Sequence, residues 1–308
     1  MTYFFRRLAS VLPVLFISWT IIFIAMELIP GDPVNMMMAG RPISLEAREN
    51  IRERLGLNRS VVYRYFDFFR RVIQGDLGES YQTRQPVINE IQSRIRATLE
   101  LAAGGAIIGI FFGVTLGIIS GIKPNSWIDT GIMSIALSGL SIPSFWTGML
   151  LIYFFALRLN WFPVVGDGWR ALILPAISVS LFMVGSLARL VRTSILEIMT
   201  EDYVRTGLAK GLNYSTVIMK HVLKNAMIPP ITLLGIQLAV LVGGTVVTET
   251  VFARQGLGQL LVTSVLNKDT PLVQALVIYV TSAYIFFNFI VDLLYGLIDP
   301  RIREARVK

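Results

Sequence analysis

The stretch TEDYVRTGLAKGLNYS (Thr200–Ser215) lies between two long apolar blocks. Thr200 is placed to cap a short helix, and Glu201 and Asp202 fall in its first turn, where the helix dipole favours negative charge. Lys210 falls at the C-terminal end, and Gly211 can take the left-handed conformation that stops a helix. Asn213 or Ser215 can cap a following helix that runs toward Met227 and Pro229. The sequence thus predicts a short helix within 201–212, tied at both ends to apolar segments. A helix held this way is suited to passing force from a soluble partner. It is equally a plain amphipathic connector, and the residues alone leave both open.

The flanking blocks set the class. Of 308 residues 54% are hydrophobic and 16% charged, with a mean hydropathy of +0.64. Soluble domains run nearer a quarter charged. The apolar residues fall in blocks of about 20, enough to cross roughly 30 Å of hydrocarbon as helix. Six candidate spans follow, near 9–29, 99–121, 130–157, 171–192, 228–250 and 273–297. The first begins after Arg6 and Arg7. It is long for a signal-peptide core and ends in Glu27-Leu-Ile-Pro-Gly-Asp32, so it reads as an uncleaved span. Six spans put both termini on one side. The ends and loops on that side hold 13 Lys and Arg against four in the two short opposite loops, which makes both termini cytoplasmic. The net charge of +8 lies between apolar blocks rather than on a soluble face, which argues against nucleic acid. The chain has no cysteine, which excludes disulfides and thiolate sites.

Residues 30–98 hold 11 basic residues and form a long loop, which translocates largely regardless of charge. Ser44 leads into a charged helix over Leu45–Leu55 stopped by Gly56, and Val61–Ile73 has helical spacing. Gly75 to Gly78 breaks it, and Pro86 opens another short helical stretch. These predict a partly helical outer cap, joined by the loop around Pro163 to Gly168 and the loop 251–270. Glycines at 105, 109, 113, 117 and 121 form an i, i+4 row on the second span. Such a row lets another backbone approach, either as fixed packing or as a sliding surface.

The same loop carries a resemblance. EDYVRTGLAKG followed by KHVLKNAMIP resembles the signature loop of binding-protein-dependent ABC importer permeases, in the dipeptide, oligopeptide and nickel branch. RRLASVLPVLF, LIPGDP, GDLGES, TRQPV, LSGLSIPSFWTGMLL, ILPAISVS, ARLVRTSILEIM, GGTVVTETVF and VDLLYGLIDPRIR extend it along nearly the whole chain. Two departures stand out: Gly207 replaces an alanine, which loosens the helix, and Arg254-Gln255 replaces a Trp-Pro pair. The resemblance implies an all-α membrane protein with six transmembrane helices of the type I ABC importer fold. Residues 1–29 would be the first span, 30–93 an extracytoplasmic segment, 94–298 the transport domain and 299–308 a cytoplasmic tail.

It further implies that Glu201, Asp202, Tyr203, Arg205, Thr206, Leu208, Lys210 and Gly211 form a coupling helix seated on ATPase subunits. Two ATPases, a homologous second permease and an extracytoplasmic solute-binding protein are the implied partners. ATP and Mg would act in the ATPases, because this chain holds no Gly-Lys pair and hence no phosphate-cradling loop. The cargo implied is a di- or oligopeptide, with nickel chelates, glutathione or short glycans as alternatives within the family. A non-ABC secondary transporter is the other reading.

Ser138, Ser141, Gln237 and Thr245 are candidates for the solute path because they bring polarity to the third and fifth spans; interhelical hydrogen bonding explains them equally. Glu27, Glu100, Asp129, Glu249 and Asp292 sit at span ends, where water or headgroups can be reached. Asp292 and Asp299 could pair with Arg301 or Arg303. No mid-span carboxylate pair suggests proton coupling. A lone histidine, His221, makes no metal site, and no constellation suggests catalysis.

Overall fold

The computed structural model describes residues 2–28, 34, 44–54, 56–166 and 168–298. The motif residues Ile29 to Pro33, the tail 299–308, and the expected pairing of Asp292 and Asp299 with Arg301 or Arg303 lie outside what is described. The described residues are helical apart from turns and one isolated bridge between Glu79 and Pro86.

Among the described residues four helices are long and apolar enough to cross a membrane: α1 (Thr2–Glu27), α4 (Val87–Ile122), α7 (Trp169–Met199) and α13 (Thr270–Ile298). Between α1 and α4 lie α2 (Leu45–Arg54) and α3 (Val61–Ile73). Two bent pairs complete the apolar set. One is α5 (Trp127–Ser141) with α6 (Ser144–Leu151, continued by a π-helical turn Ile152–Arg158), bent by 109°. The other is the segment Tyr214–Ala226, here α9, with α10 (Ile228–Gly244), bent by 45°. Short helices α8 (Asp202–Ala209), α11 (Val246–Val251) and α12 (Leu257–Leu266) lie between them.

Several sequence expectations change here. The stretch after Pro86 is no separate helix: it is the first part of α4, which runs 36 residues without a break. Nothing between Val87 and Ile122 is a proline, and its glycines come only after residue 103, so propagation is uninterrupted. The expected straight span 130–157 breaks at Ile142-Pro143. Proline pushes the residue before it out of the helical region, and Ile142 is extended at φ −86°, ψ 126°. The expected span 228–250 is divided at Thr245. The expected loop 251–270 contains a helix, α12.

The chain divides into two compact units, Met1–Ala97 with Gln255–Phe289, and Thr98–Arg254 with Ile290–Lys308. In the first, α12 and the start of α13 pack Leu257, Leu260, Leu272, Ala275 and Leu276 against Val87 and Ile91. Asp269, buried before α13, accepts hydrogen bonds from Ser80 Oγ and from the backbone N–H of Tyr81 at 3.0 Å, pinning the 80–83 turn. Burial first, and the Asp269 carboxylate second, push the Tyr81 phenol up to about 12.

Helix α3 is placed otherwise than a cap resting on top. It runs antiparallel along the apolar part of α1. Arg64 pairs with Glu27, Tyr65 lies 5.4 Å from Phe23 ring to ring, and Phe69 lies 5.1 Å from Phe16. Its aromatic stripe covers α1, while Arg64, Asp67 and Arg71 stand on another face.

In the second unit the glycine row of α4 meets an i, i+4 row of α7. A Cβ added at Gly105, Gly109, Gly113, Gly117 or Gly121 would come within 2.4 to 2.9 Å of Val179, Met183, Leu187, Val191 or Ile195 in turn. Both series rise together, so the helices are parallel, and each glycine is the hole that one α7 side chain fills.

Candidate functional site

The segment joining α7 to α9 is built as the sequence predicts in outline, with one difference at its start. Thr200 does not cap α8. It is still in the right-handed region, at φ −86° and ψ −8°, and its hydroxyl donates back to the Glu197 carbonyl at 2.7 Å. Only two residues separate α7 from α8, so Thr200 is spent closing the first helix. Glu201 takes the extended N-cap position, φ −68° and ψ 142°, without a side-chain cap bond, and Asp202 occupies the first turn.

The end of α8 follows expectation. Gly211 adopts φ +82°. The Leu212 N–H donates to the Gly207 carbonyl at 3.2 Å, and the Gly211 N–H to Leu208 at 3.0 Å. This paired closure is the Schellman motif, and it needs a left-handed residue where only glycine sits without strain. Asn213 then caps the next helix, its side chain accepting from the Ser215 N–H at 3.2 Å.

Two contacts hold α8 in place, and Gly207 leaves room beside them. Val204 is 1% exposed and packs with Val191 and Ile195 of α7 and Val217, Ile218 and Val222 of α9. Asn225 Nδ2 donates to the Tyr203 hydroxyl at 3.0 Å. A Cβ at Gly207 would lie 3.5 Å from Leu212 and 3.8 Å from Val217. The opposite face is open: Tyr203 is 44% and Leu208 38% exposed, and Arg205 and Lys210 are exposed beside them. Asp202 and Glu201 are exposed, as is Thr206, at the register the sequence assigned. The result is a small helix with one buried anchor and a mixed apolar and charged outer face, joined stiffly to two longer helices.

Arg192, beside Val191 on α7, holds a group that sequence reasoning put in the wrong environment. Asp129 was expected at a water-accessible span end; it is 3% exposed. Arg192 donates to both its oxygens, Nε to Oδ1 at 2.7 Å and Nη2 to Oδ2 at 2.8 Å. Ser120 Oγ and the Asn125 N–H complete its shell. This clamp fixes the turn between α4 and α5 to α7. Glu249, also expected near water, is fully buried and accepts from Thr98 Oγ1 at 2.7 Å. Asp129 and Arg192 were each visible as charges flanking apolar blocks, but their pairing across 63 residues had no local signal.

The four solute-path candidates are not brought onto one surface. Ser138 and Ser141 are exposed, each hydroxyl donating one turn back, to Ser134 at 2.9 Å and to Leu137 at 3.0 Å. Gln237 is buried and donates to Ser186 Oγ on α7 at 3.1 Å, and Thr245 is buried. Polar residues in apolar helices are drawn to partners on neighbouring helices, and Gln237 has found one. His221 lies in a π-helical turn of α9, and its carbonyl accepts from Asn225 at 3.0 Å. Among the described residues no three His, Asp or Glu side chains cluster as metal ligands would.

Comparison with known proteins bears on this geometry. Residues 113–304 match the family described as binding-protein-dependent transport system inner membrane component, and residues 1–102 match its N-terminal membrane component. The glutathione transport system permease protein GsiC of Escherichia coli O6:H1 is 40% identical over 304 residues, 98% of this chain and 99% of that protein. GsiC of Pectobacterium atrosepticum is also 40% identical, over the same shares. Among solved structures, an inward-facing MetNI methionine ABC transporter chain superposes with a TM-score of 0.52 at 20% identity, covering 68% of this chain and 98% of that one. A chain of an amino acid ABC transporter with histidines gives 0.53 at 14% identity, covering 67% and 93%. These two likenesses concern the fold.

Proposed function

Since the chain belongs to the family of binding-protein-dependent transport system inner membrane components, we propose that it forms one half of a peptide-conducting pore worked through α8 by separate ATPases. It is an ABC importer permease of a bacterial inner membrane, a transport pore rather than a catalytic subunit. The observation that carries the coupling role is the construction of α8 itself. Val204 ties it to two long helices, while Tyr203, Arg205, Leu208 and Lys210 face outward. A load applied to that face is passed to α7 and α9 together, because all three share one core.

In this reading the two bent pairs each count as one span, giving six, and both termini face the cytoplasm with α8, as the distribution of Lys and Arg supports. The segment 30–93 then begins and ends on the outer side, with α3 lying back along α1. Two ATPases bind ATP and Mg and receive α8, Glu201 to Gly211, in a groove. A second, homologous permease completes the pore, and an extracytoplasmic binding protein delivers the solute. The exposed hydroxyls of Ser138 and Ser141 belong to the pore-facing side, while Gln237 and Thr245 serve helix packing.

The proposed cargo is a short peptide. The relatives named for glutathione support this, because glutathione is itself a tripeptide, and it is the first alternative to test. Affinity purification of the tagged chain with its neighbouring subunits tests the coupling role: the ATPases should copurify, and Gly211→Val or Arg205→Glu should weaken the association. Full ATPase retention and full transport in both variants would remove α8 from the mechanism.

A further inference from the structure

The first compact unit holds a cleft of about 1120 Å³ that the transport reading leaves unused. Its walls are the end of α1 from Phe23 to Glu27, Ile51 to Glu53 with Gly56, Leu57 and Arg59, one face of α3, the turn from Asp76 to Arg84, and the start of α13 from Thr270 to Ile278.

Its charge is arranged, not scattered. Helix α3 offers the cleft residues 63, 64, 67, 68, 71 and 72, a single helical face, while Tyr65 and Phe69 on another face pack onto α1. Two of the charges there are already neutralised, Arg64 by Glu27 and Arg71 by Asp67. Two other walls are different. The 51–59 wall carries Arg52, Glu53 and Arg59, and the 76–84 wall carries Asp76, Glu79 and Arg84. Glu53, Arg59, Glu79 and Arg84 are exposed, and among the described residues none of these four has an ion-pair partner. Arg59 is held by the Tyr63 ring, 4.4 Å from its centroid.

Each wall therefore presents both signs of charge, at least one acid and one guanidinium. An anion alone would meet a repelling carboxylate on either wall, and a cation alone a repelling guanidinium. A ligand with a carboxylate at one end and an ammonium at the other satisfies both. Between the charges the cleft is lined by Phe23, Phe68, Leu77 and Ile278, which recognise no particular side chain. We propose that this cleft is a binding site for short zwitterionic peptides, held by their free ends and apart from the pore. Its placement on the outer side rests on the permease reading above; its ligand chemistry does not.

The test is equilibrium binding of tritiated tri-alanine to the assembled transporter in nanodiscs, without ATP or binding protein. The double variants Arg59→Gln/Arg84→Gln and Glu53→Gln/Glu79→Gln should each weaken binding by about tenfold or more, the loss expected when charge-assisted hydrogen bonds go. N-acetyl tri-alanine amide should compete as poorly. The single Arg84→Gln is the second variant should either double variant fail to assemble, and it should show part of the same loss. Absent binding, equal competition by the capped peptide, or unchanged affinity in these variants overturns the proposal. So does a phospholipid that native mass spectrometry finds retained by wild type, lost from both double variants and not displaced by tri-alanine, which would make the cleft a lipid site. Copurification of the ATPases on the same samples separates the two readings. ATPases retained without peptide binding sinks the cleft alone, and ATPases absent sinks the permease reading.

Discussion

The substitution Gly207→Ala should tighten the coupling helix, although it changes a residue at the heart of the proposed site. Gly207 is inside α8 with ordinary helical φ, so alanine's conformation is already present. The added Cβ would meet Leu212 at 3.5 Å and Val217 at 3.8 Å, both normal van der Waals contacts. No atom must move. Glycine costs a helix interior about 0.8–1.0 kcal/mol relative to alanine, so the gain is about 1 kcal/mol, with a small extra term for the buried methyl. One kcal/mol is about fivefold in a local opening equilibrium. Hydrogen exchange of the α8 amides should therefore slow by about fivefold. The same change at Gly211 has the opposite sign. Its φ is +82° and its Cβ would meet nothing within 4 Å, so the whole effect is conformational, a cost of about 1–2 kcal/mol. Faster exchange in Gly207→Ala, or unchanged exchange in Gly211→Ala, would refute the reasoning that sets the two glycines apart.

Other consequences can be measured on the purified protein. Gly117→Ala places a Cβ 2.6 Å from Val191 Cβ and 2.8 Å from the Ala188 carbonyl, so thermal unfolding in detergent should show a loss of about 1–3 kcal/mol, while Gly131→Ala, with nothing within 4 Å, should not lower stability. Arg192→Ala strands the buried Asp129 and should cost about 3 kcal/mol, and the double variant with Asp129→Asn should recover part of it; strict additivity would deny the pairing. The Tyr81 phenol is pushed up from 10 to about 12, so its neutral form is favoured in the fold. Its contribution is whole below pH 10 and is lost as pH rises toward 12, and Tyr81→Phe should flatten that part of the stability profile.

Much of this architecture was legible in order and kind. The apolar blocks marked the long helices, because crossing hydrocarbon demands length and low charge whatever the tertiary contacts. Ser44 and Gly211 marked helix ends, because capping is settled within a few residues: Ser44 Oγ accepts from Ala47 N–H at 3.2 Å, and Gly211 adopts φ +82°. What was missed depends on contacts distant in sequence. Glu249 and Asp129 read as wet because nothing nearby named Thr98 or Arg192 as partners. Gln237 left pore lining and interhelical bonding equally open, because a buried amide and a solute-facing one look alike in sequence. Thr200 read as a cap because the two-residue gap between α7 and α8 could not be seen. The path of α3 along α1 was hidden for the same reason, although its stripe of Tyr65, Phe68 and Phe69 was in plain view.

The central claim is that α8 is where a separate engine grips this chain, and the absence of native cysteine makes it directly testable. Single cysteines at Tyr203, Leu208 and Val204 can be placed one at a time in the assembled complex and treated with a short thiol crosslinker. The account predicts crosslinks to the ATPase from Tyr203→Cys and Leu208→Cys, changing in yield when ATP is added, and none from the buried Val204→Cys. A complex that transports solute yet gives no crosslink from either exposed position would contradict it.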